Sequence, residues 1–272
     1  MGGLENEVKF NASGQLATIM IGDKNKLSGP SIGLGGSVFA IAMGNKNKLA
    51  GISGGGDTLV AKGTENELKA SNGDDTLLAY GWNNTVEAGK GADFIVVVGF
   101  NNDVTADKDA VDNDGDTIFS LGAKNYIDGC GGNDAIFSVG MGDQIIGGEG
   151  DDFVYTSGIV SATSLGSGND IAISYGIGSV VSGGLGDDLI ISTGATALNY
   201  GNSGDDVLIE FGELVNSDGG WGNDLLLGFG SGLLKHTGID VLESILPLNN
   251  TLSEVLEYFY YPFASVRDNI IG

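Results

Sequence analysis

The sequence is poor in cysteine, proline, histidine and basic residues. It contains one cysteine, one histidine and 3 prolines, and 36 acidic residues outnumber its 12 lysine and arginine residues. The lone Cys130 excludes an intramolecular disulfide. The formal net charge of -24 excludes the basic surface that nucleic-acid binding requires. A chain this acidic is expected to bind cations or to expose a solvated acidic surface.

Long apolar runs and catalytic sets are absent as well. No run of about 18 apolar residues occurs, so no transmembrane helix is expected. The start, MGGLENEVKF, lacks the basic and apolar regions of a secretory signal peptide. The only histidine, His236, lies outside the repeats described below. The repeats therefore hold neither a Ser-His-Asp nor a Cys-His arrangement, and we expect no enzyme activity.

Glycine is the residue in excess, with 49 of the 272 positions. Many glycines with few prolines predict many tight turns between short strands. The apolar fraction of 41% is sufficient for a packed core and argues against disorder, which accompanies low hydrophobicity.

An aspartate recurs at a fixed interval through most of the chain. Nine intervals separate ten aspartates, and eight of them are 18 residues while one is 23. The longer interval is one period with a five-residue insertion near Ala106 to Ala110. These residues, called the aspartate row below, are Asp57, Asp75, Asp93, Asp116, Asp134, Asp152, Asp170, Asp188, Asp206 and Asp224.

Apolar residues follow the same period in two columns. The first lies two residues after each aspartate, as at Leu59 and Ile95, and the second lies eleven residues after it, as at Leu68 and Val104. Columns nine residues apart fit inward-pointing residues on two facing strands, because nine residues are too few for a helix with its turn. The sequence predicts an all-β fold, a parallel β-roll or two-sheet β-solenoid with 18-residue turns.

Three regions are expected along the chain. Residues 1-51 contain two turns, Ser13 to Gly29 and Gly35 to Gly51, that lack the corner aspartate and form an atypical end. Residues 52-232 form the repeat solenoid with the aspartate row. Residues 233-272 lose the glycine pattern and form a C-terminal cap.

The corner sequence resembles the RTX, or hemolysin-type, calcium-binding nonapeptide GGxGxDxUx, where U is a large apolar residue. Intact copies are GGEGDDFVY (147–155), GGLGDDLII (183–191) and GGWGNDLLL (219–227), and the resemblance covers about residues 52–230. It implies Ca²⁺ as the bound ion and the aspartate row as its ligands. Calcium takes six to eight hard oxygen ligands, so carboxylates of one turn and carbonyls of the next would share each ion.

The second half of each turn departs from this motif. Its equivalent position holds Asn66, Asn84, Asn102, Asn125, Asp143, Ser161, Ser179 and Ala197. One row of calcium is therefore expected on one edge, with the other edge turning through Asn and Gly, which tolerate positive φ. The alternative is that the aspartate row only forms turns and binds no metal. The acidic insertion TADKDAVDNDGD (105–116) could hold an extra ion, although it does not fit an EF-hand loop.

The strand after each metal corner has apolar residues at outward positions too, among them Phe119, Phe137, Tyr155, Ile173 and Ile191. One sheet should therefore be apolar on both faces, which exceeds the apolar patch that a soluble monomer usually shows. Three covers for this outer face stay open: the C-terminal tail, a homodimer or protein partner, and a lipid or other apolar surface.

Two capping-box patterns, beginning at Thr237 and Thr251, introduce amphipathic runs in the tail, VLESIL and LSEVLEYFYY. They predict a short helical cap. By family resemblance the tail is similar to the uncleaved C-terminal signal of RTX proteins exported by type I secretion.

The expected function is that of a secreted or cell-surface calcium-binding repeat protein without an N-terminal signal peptide, which folds on calcium. Its role would be structural, adhesive or interaction-forming through the apolar sheet face. Because the sequence starts with Met1 and ends with the tail, we expect a complete small protein. The alternatives are a targeting or carrier module for a secreted enzyme or toxin, and a polysaccharide-active β-helix enzyme.

Overall fold

The structure is a computed structural model that describes residues 5–9, 15–28, 36–52, 54–107 and 113–229, together with the backbone of two short strands at 233–235 and 241–243. These residues form strands and tight turns. The strands, in chain order, are β1 (Glu7–Lys9), β2 (Gln15–Ile21), β3 (Lys26–Ser28), β4 (Ser37–Met43), β5 (Lys48–Ala50), β6 (Thr58–Thr64), β7 (Glu67–Lys69), β8 (Thr76–Trp82), β9 (Thr85–Glu87), β10 (Phe94–Phe100), β11 (Asp103–Thr105), β12 (Thr117–Ala123), β13 (Tyr126–Gly131), β14 (Ala135–Met141), β15 (Gln144–Glu149), β16 (Phe153–Ile159), β17 (Ala162–Ser167), β18 (Ile171–Ile177), β19 (Val180–Leu185), β20 (Leu189–Ala195), β21 (Leu198–Ser203), β22 (Val207–Glu213), β23 (Asn216–Trp221), β24 (Leu225–Gly228), β25 (Leu233–Lys235) and β26 (Val241–Glu243).

The strands alternate between two parallel sheets. In the described part of the chain each sheet has 13 strands, and every strand pairs with the strand two places further along the sequence. The even-numbered strands form the long-strand sheet and the odd-numbered strands the short-strand sheet. This arrangement confirms the predicted all-β, parallel two-sheet β-solenoid.

The insertion leaves the stacking of the sheets intact. Across it, Phe94 of β10 pairs with Thr117 of β12, and the two strands stay in register over their full length. The five extra residues are therefore confined to the edge between β11 and β12, where they interrupt no strand pairing.

The core lies between the two sheets, and each sheet contributes one layer of inward-pointing side chains. The two predicted apolar columns are both found inside it: Leu59 and Ile95 of the long strands and Leu68 and Val104 of the short strands are fully buried. A second inward column on the long strands was not predicted. Its members change along the solenoid from apolar to polar, in the order Ala61, Ala79, Val97, Ser120, Ser138, Thr156, Ser174, Ser192 and Glu210.

The ends of the solenoid differ in how well they match the sequence expectations. Strands β2 to β5 show that the residues before 52 continue the same two sheets. At the other end the run VLESIL was predicted to begin a helix, and this is wrong for its first three residues, because Val241–Glu243 pairs in parallel with β24. The last long strand would otherwise present unpaired backbone groups, which a further strand satisfies. Residues 244–272, with the rest of the predicted helical cap and the proposed export signal, lie outside the described residues, as does His236.

The solenoid has two edges: the first leads from each short strand to the next long strand, and the second leads from each long strand to the next short strand. The second edge turns through a residue with positive φ. Asparagine was expected to supply this conformation, and Asn83 and Asn101 do so, both with φ of 55°. In other turns a residue with a branched β-carbon takes the same place, as at Val160 with φ of 55° and Thr196 with φ of 58°. The left-handed region costs an L-residue about 1–2 kcal/mol, and it costs asparagine less because its short polar side chain can hydrogen-bond locally.

We therefore expect Val160→Asn to raise the free energy of unfolding by about 1 kcal/mol, since it relieves this strain at an exposed position. The matched reverse variant, Asn101→Val, should lower it by a similar amount. Denaturant unfolding of both variants checks the prediction, and equal stabilities for wild type and Val160→Asn would contradict it.

Candidate metal centre

The first edge of the solenoid carries the aspartate row. Each of its members directly precedes a long strand, so the parallel register of the long-strand sheet stacks them one above another. All ten side chains are buried, with between 1% and 3% of their surface exposed. The residue before each of them, such as Asp151 beside Asp152, is exposed instead, because neighbouring residues face opposite sides of the corner.

One oxygen of each carboxylate is used to join successive turns. The Oδ1 atom accepts a hydrogen bond from the backbone N–H of the row aspartate one turn earlier. The N–H of Asp57 donates to Asp75 at 2.6 Å, that of Asp134 to Asp152 at 2.8 Å, and that of Asp206 to Asp224 at 3.0 Å. The ladder is unbroken from Asp57 to Asp224.

The other carboxylate oxygen, Oδ2, is satisfied only at the N-terminal end of the row. The Oδ2 atom of Asp57 accepts from the backbone N–H of Ile52 at 2.7 Å, and that of Asp75 accepts from Ser71 at 3.4 Å. Further along, the buried Oδ2 atoms without a protein hydrogen-bond partner are those of Asp93, Asp116, Asp134, Asp152, Asp170, Asp188 and Asp206. An ionised carboxylate buried in this way is costly unless another group binds it.

Four of these oxygens, those of Asp134, Asp152, Asp188 and Asp206, point at a glycine five residues earlier in the chain. A Cβ added to Gly147 would lie 2.4 Å from Oδ2 of Asp152 and 2.4 Å from the carbonyl oxygen of Leu165 in the next turn. Equivalent sites at Gly129, Gly183 and Gly201 bring together an Oδ2 and a next-turn carbonyl in the same way. The glycine therefore keeps open a space on which two hard oxygen ligands from successive turns converge, and this donor set suits calcium.

No protein cation neutralises the C-terminal part of the row. Between Lys124 and Lys235 the sequence contains no lysine, arginine or histidine. The carboxylates from Asp134 to Asp224 lie in this stretch, and exposed acids such as Asp151 and Asp187 stand beside them. The described turns that carry these carboxylates therefore supply no cation to balance their charge.

Burial also raises the pKa of these carboxyl groups. Desolvation is the main cause. Neighbouring carboxylates raise the pKa further at several of them, and the backbone hydrogen bond from the preceding turn opposes both effects. The pKa is raised to about 6 for Asp134 and Asp206, about 7 for Asp75 and Asp188, about 8 for Asp93 and Asp152, and about 9 for Asp116. The pKa of Asp57 and of Asp170 is raised as well.

The second edge has the same backbone scheme with a different side chain. The N–H of Asn66 donates to Oδ1 of Asn84 at 3.0 Å, and the Nδ2 of Asn66 donates to the same oxygen at 3.1 Å. This asparagine ladder runs from Asn25 to Asn125 and ends on Asp143. Asp143 accepts from the N–H of Asn125 and from the hydroxyl of Ser138, so both of its oxygens have partners. The second edge therefore lacks the orphaned carboxylate oxygens of the first.

A third ladder was missed in the sequence. Where the exposed residue before a row aspartate is Asn or Asp, its side chain accepts an N–H from the following turn, opposite in direction to the buried ladder, and this ladder is continuous from Asn133 to Asn223. The N–H of Asp151 donates to Asn133 at 2.9 Å, and that of Asn169 donates to Asp151 at 2.7 Å. The signal was the repeated Asn or Asp at this position, which the motif treats as variable.

The chain matches no protein-family model, no curated protein and no solved structure. Among the described residues no helix is long and apolar enough to cross a membrane. The metal-binding role of the aspartate row remains a prediction supported by the geometry above.

The metal-stripped protein should lose stability as the pH rises. The shifted carboxyl groups have a higher pKa in the folded chain than their ordinary value of 3.8, so between about pH 4 and about pH 9 the folded chain binds more protons than the unfolded chain. Their stabilising contribution is complete below the ordinary pKa and is lost as the pH passes through the folded values.

Thermal unfolding of metal-stripped protein at pH 5 and at pH 9 checks this, with the lower Tm expected at pH 9. A Tm that increases with pH in the absence of metal would contradict the burial of these carboxyls.

Proposed function

We propose that this chain is a secreted calcium-binding repeat protein of the RTX type, which folds on calcium and interacts through its apolar sheet face. One observation carries the proposal: a stacked row of buried carboxylates, of which the seven from Asp93 to Asp206 have an oxygen that no protein donor satisfies. The proposal assigns the protein no catalytic role.

The asparagine ladder argues against the reading that the aspartates only form turns. On the second edge, Asn66 and Asn84 make the same backbone hydrogen bond that the aspartates make, and their Nδ2 groups donate to the next turn. Asparagine would therefore suffice if the first edge needed only a stacked corner. Aspartate at every turn leaves an anionic oxygen buried, which is favourable only with a bound cation or proton.

Calcium suits this edge better than protonation outside the cell. At neutral pH protons would occupy Asp93, Asp116 and Asp152, whose pKa is raised to about 8 or 9, but they would leave Asp134 and Asp206 ionised, because the pKa of these two is raised only to about 6. A divalent ion neutralises carboxylates of successive turns together, and the next-turn carbonyls beside Gly129 and Gly183 supply neutral oxygen ligands. In this scheme the row carboxylates hold the ion, and the backbone ladder through Oδ1 keeps each of them in place.

Folding is expected to depend on the ion. Two unneutralised carboxylates about 4.8 Å apart repel by about 0.9 kcal/mol in water, and several-fold more at an effective dielectric constant near 20. Repeated over successive turns, this repulsion is comparable with the whole stability of a domain, about 5–15 kcal/mol. A chain kept unfolded where calcium is scarce and folded where it is abundant would suit export before folding.

The outer face of the long-strand sheet supports an interaction role. Beyond the outward residues expected from the sequence, two further columns near the C-terminal ends of the long strands are apolar and more exposed. Their exposed fractions are 62% for Trp82, 53% for Leu121, 52% for Met141, 58% for Tyr175, 54% for Ile177 and 48% for Phe211. This defines the apolar face, which also contains Phe119 stacked on Phe137 with ring centroids 4.9 Å apart.

The opposite face differs in chemistry. In its N-terminal half the short-strand sheet exposes lysine and glutamate, with Lys69 paired to Glu87 at 2.6 Å across successive strands. Such exposed pairs stabilise little but keep this face solvated. The C-terminal half of the same sheet exposes Leu185 and Trp221, with 62% and 78% of their surface exposed. A partner is therefore expected on the long-strand side, and the solvated N-terminal half of the short-strand sheet is not expected to contact it.

Calcium should raise the Tm of the wild-type protein strongly and restore its β-sheet circular dichroism after chelation. The variant Asp152→Asn should gain stability in chelator at pH 9, above the pKa of about 8 for Asp152, because it removes a buried charge, and should show a smaller calcium-induced rise in Tm. The matched control is Asp143→Asn on the second edge, where both carboxylate oxygens have partners and the calcium-induced rise should be unchanged. Identical melting with calcium and with chelator would sink the proposal.

Self-association through the apolar face is expected in the calcium-loaded protein. Lysine at Leu121 and Tyr175 would place charges in the exposed column and should lower the mass measured by sedimentation. Lysine at Ala162 and Ser164, which are exposed on the short-strand sheet, is the control for added charge and should leave the mass unchanged. A wild-type protein that stays monomeric at high concentration would count against this surface.

A further inference from the structure

Asp107, at the start of the insertion, lies inside the first edge. Counted from the preceding row aspartate, it takes the place of Gly89 and Cys130 in the two neighbouring turns, where φ is +114° and +74°. Asp107 itself is outside this left-handed region. The five extra residues of the turn therefore allow a side chain at a position where the regular 18-residue turn needs an unusual backbone conformation.

The insertion brings three carboxylates together. One carboxylate oxygen from each of Asp93, Asp107 and Asp116 lies within 4.8 Å of the other two. All three residues are buried, with 3%, 1% and 1% of their surface exposed. In the described part of the chain this is the only group of three acidic, histidine or cysteine side chains that converges so closely.

A second observation points to a ligand at this place. The Oδ2 atoms of Asp93 and Asp116 are buried and have no protein hydrogen-bond donor, while their Oδ1 atoms already accept the backbone N–H groups of Asp75 and Asp93. The free oxygens are therefore not needed for the ladder. They face a third carboxylate that only the inserted turn can provide.

We propose that Asp93, Asp107 and Asp116 form a distinct divalent-cation site that binds calcium more tightly than any other position of the row. This inference rests on the proposed function, because it treats the row as calcium-binding, and it adds a ligand that the repeat motif does not contain. Elsewhere each turn contributes one carboxylate, whereas here the inserted turn adds a second, which increases the local negative charge. The site also joins the one turn between Asp57 and Asp224 whose length departs from the 18-residue period, next to the pairing of β10 with β12.

Calcium titration of the metal-stripped full chain, followed by calorimetry, tests the proposal. The wild type should bind one calcium ion with high affinity and further calcium ions at a second class of sites with lower affinity. Asp107→Asn should lower the affinity of the high-affinity site at least tenfold and leave the lower-affinity sites unchanged. The control Asp103→Asn removes an exposed acid four residues earlier and should change neither class. Terbium, added as a trivalent probe, should occupy the same first site and lose affinity in Asp107→Asn only.

The outcomes separate this inference from the proposed function. A tight ion retained in Asp107→Asn, or a single class of sites in the wild type, overturns the Asp107 site while the row stands. Failure of the wild type to bind calcium at millimolar concentration overturns the row itself. If Asp107→Asn does not fold, Asp107→Gly makes the same comparison with the residue found in the preceding turn, and the same results decide.

Discussion

The structure depends on a row of buried carboxylates, most of which use only one of their two oxygens in hydrogen bonds to the protein. The Oδ1 atom of each row aspartate binds the backbone of the preceding turn, which ties the first edge together. The Oδ2 atom is left facing a glycine and a carbonyl oxygen, as at Asp152 beside Gly147. An ionised oxygen buried without a partner is costly, so the feature that stacks the turns also supports the proposed calcium site.

The two edges of the solenoid show how specific this constraint is. They have the same stacking distance and the same backbone-to-side-chain bond, yet one uses asparagine and the other aspartate. The asparagine edge is satisfied by its own amide groups, and it needs no ion. The molecule thus has one edge proposed to bind ions, a second edge joined by amide hydrogen bonds from Asn25 to Asn125, and an apolar sheet face proposed to contact a partner.

Much of the fold could be predicted because period and burial are both written in the sequence. The aspartate spacing fixed the turn length, and columns such as Leu59 with Leu68 gave the two facing sheets. The metal edge was identified by the Gly-x-Asp-x-apolar pattern. What the sequence could not give was the inward direction of Asp107, since the repeat provides no reference for an inserted residue. The exposed columns at Leu121 and Tyr175 were also missed, because only the first outward positions of each strand were considered.

The helix predicted to begin at Val241–Glu243 was wrong because the prediction considered only local sequence. Capping residues and an amphipathic run favour a helix locally, but the open end of a long parallel sheet offers a full row of backbone partners to any segment that reaches it. Local propensity is a weak guide wherever a solenoid ends, since the last strand pairs with whatever chain follows.

The most direct measurement is an anomalous difference map from crystals grown in calcium. The account predicts a single line of calcium peaks along the first edge, each in contact with an Oδ2 atom of the aspartate row, and no peaks along the asparagine ladder. An ordered solenoid whose Oδ2 atoms contact only protein or water in the presence of calcium would contradict it.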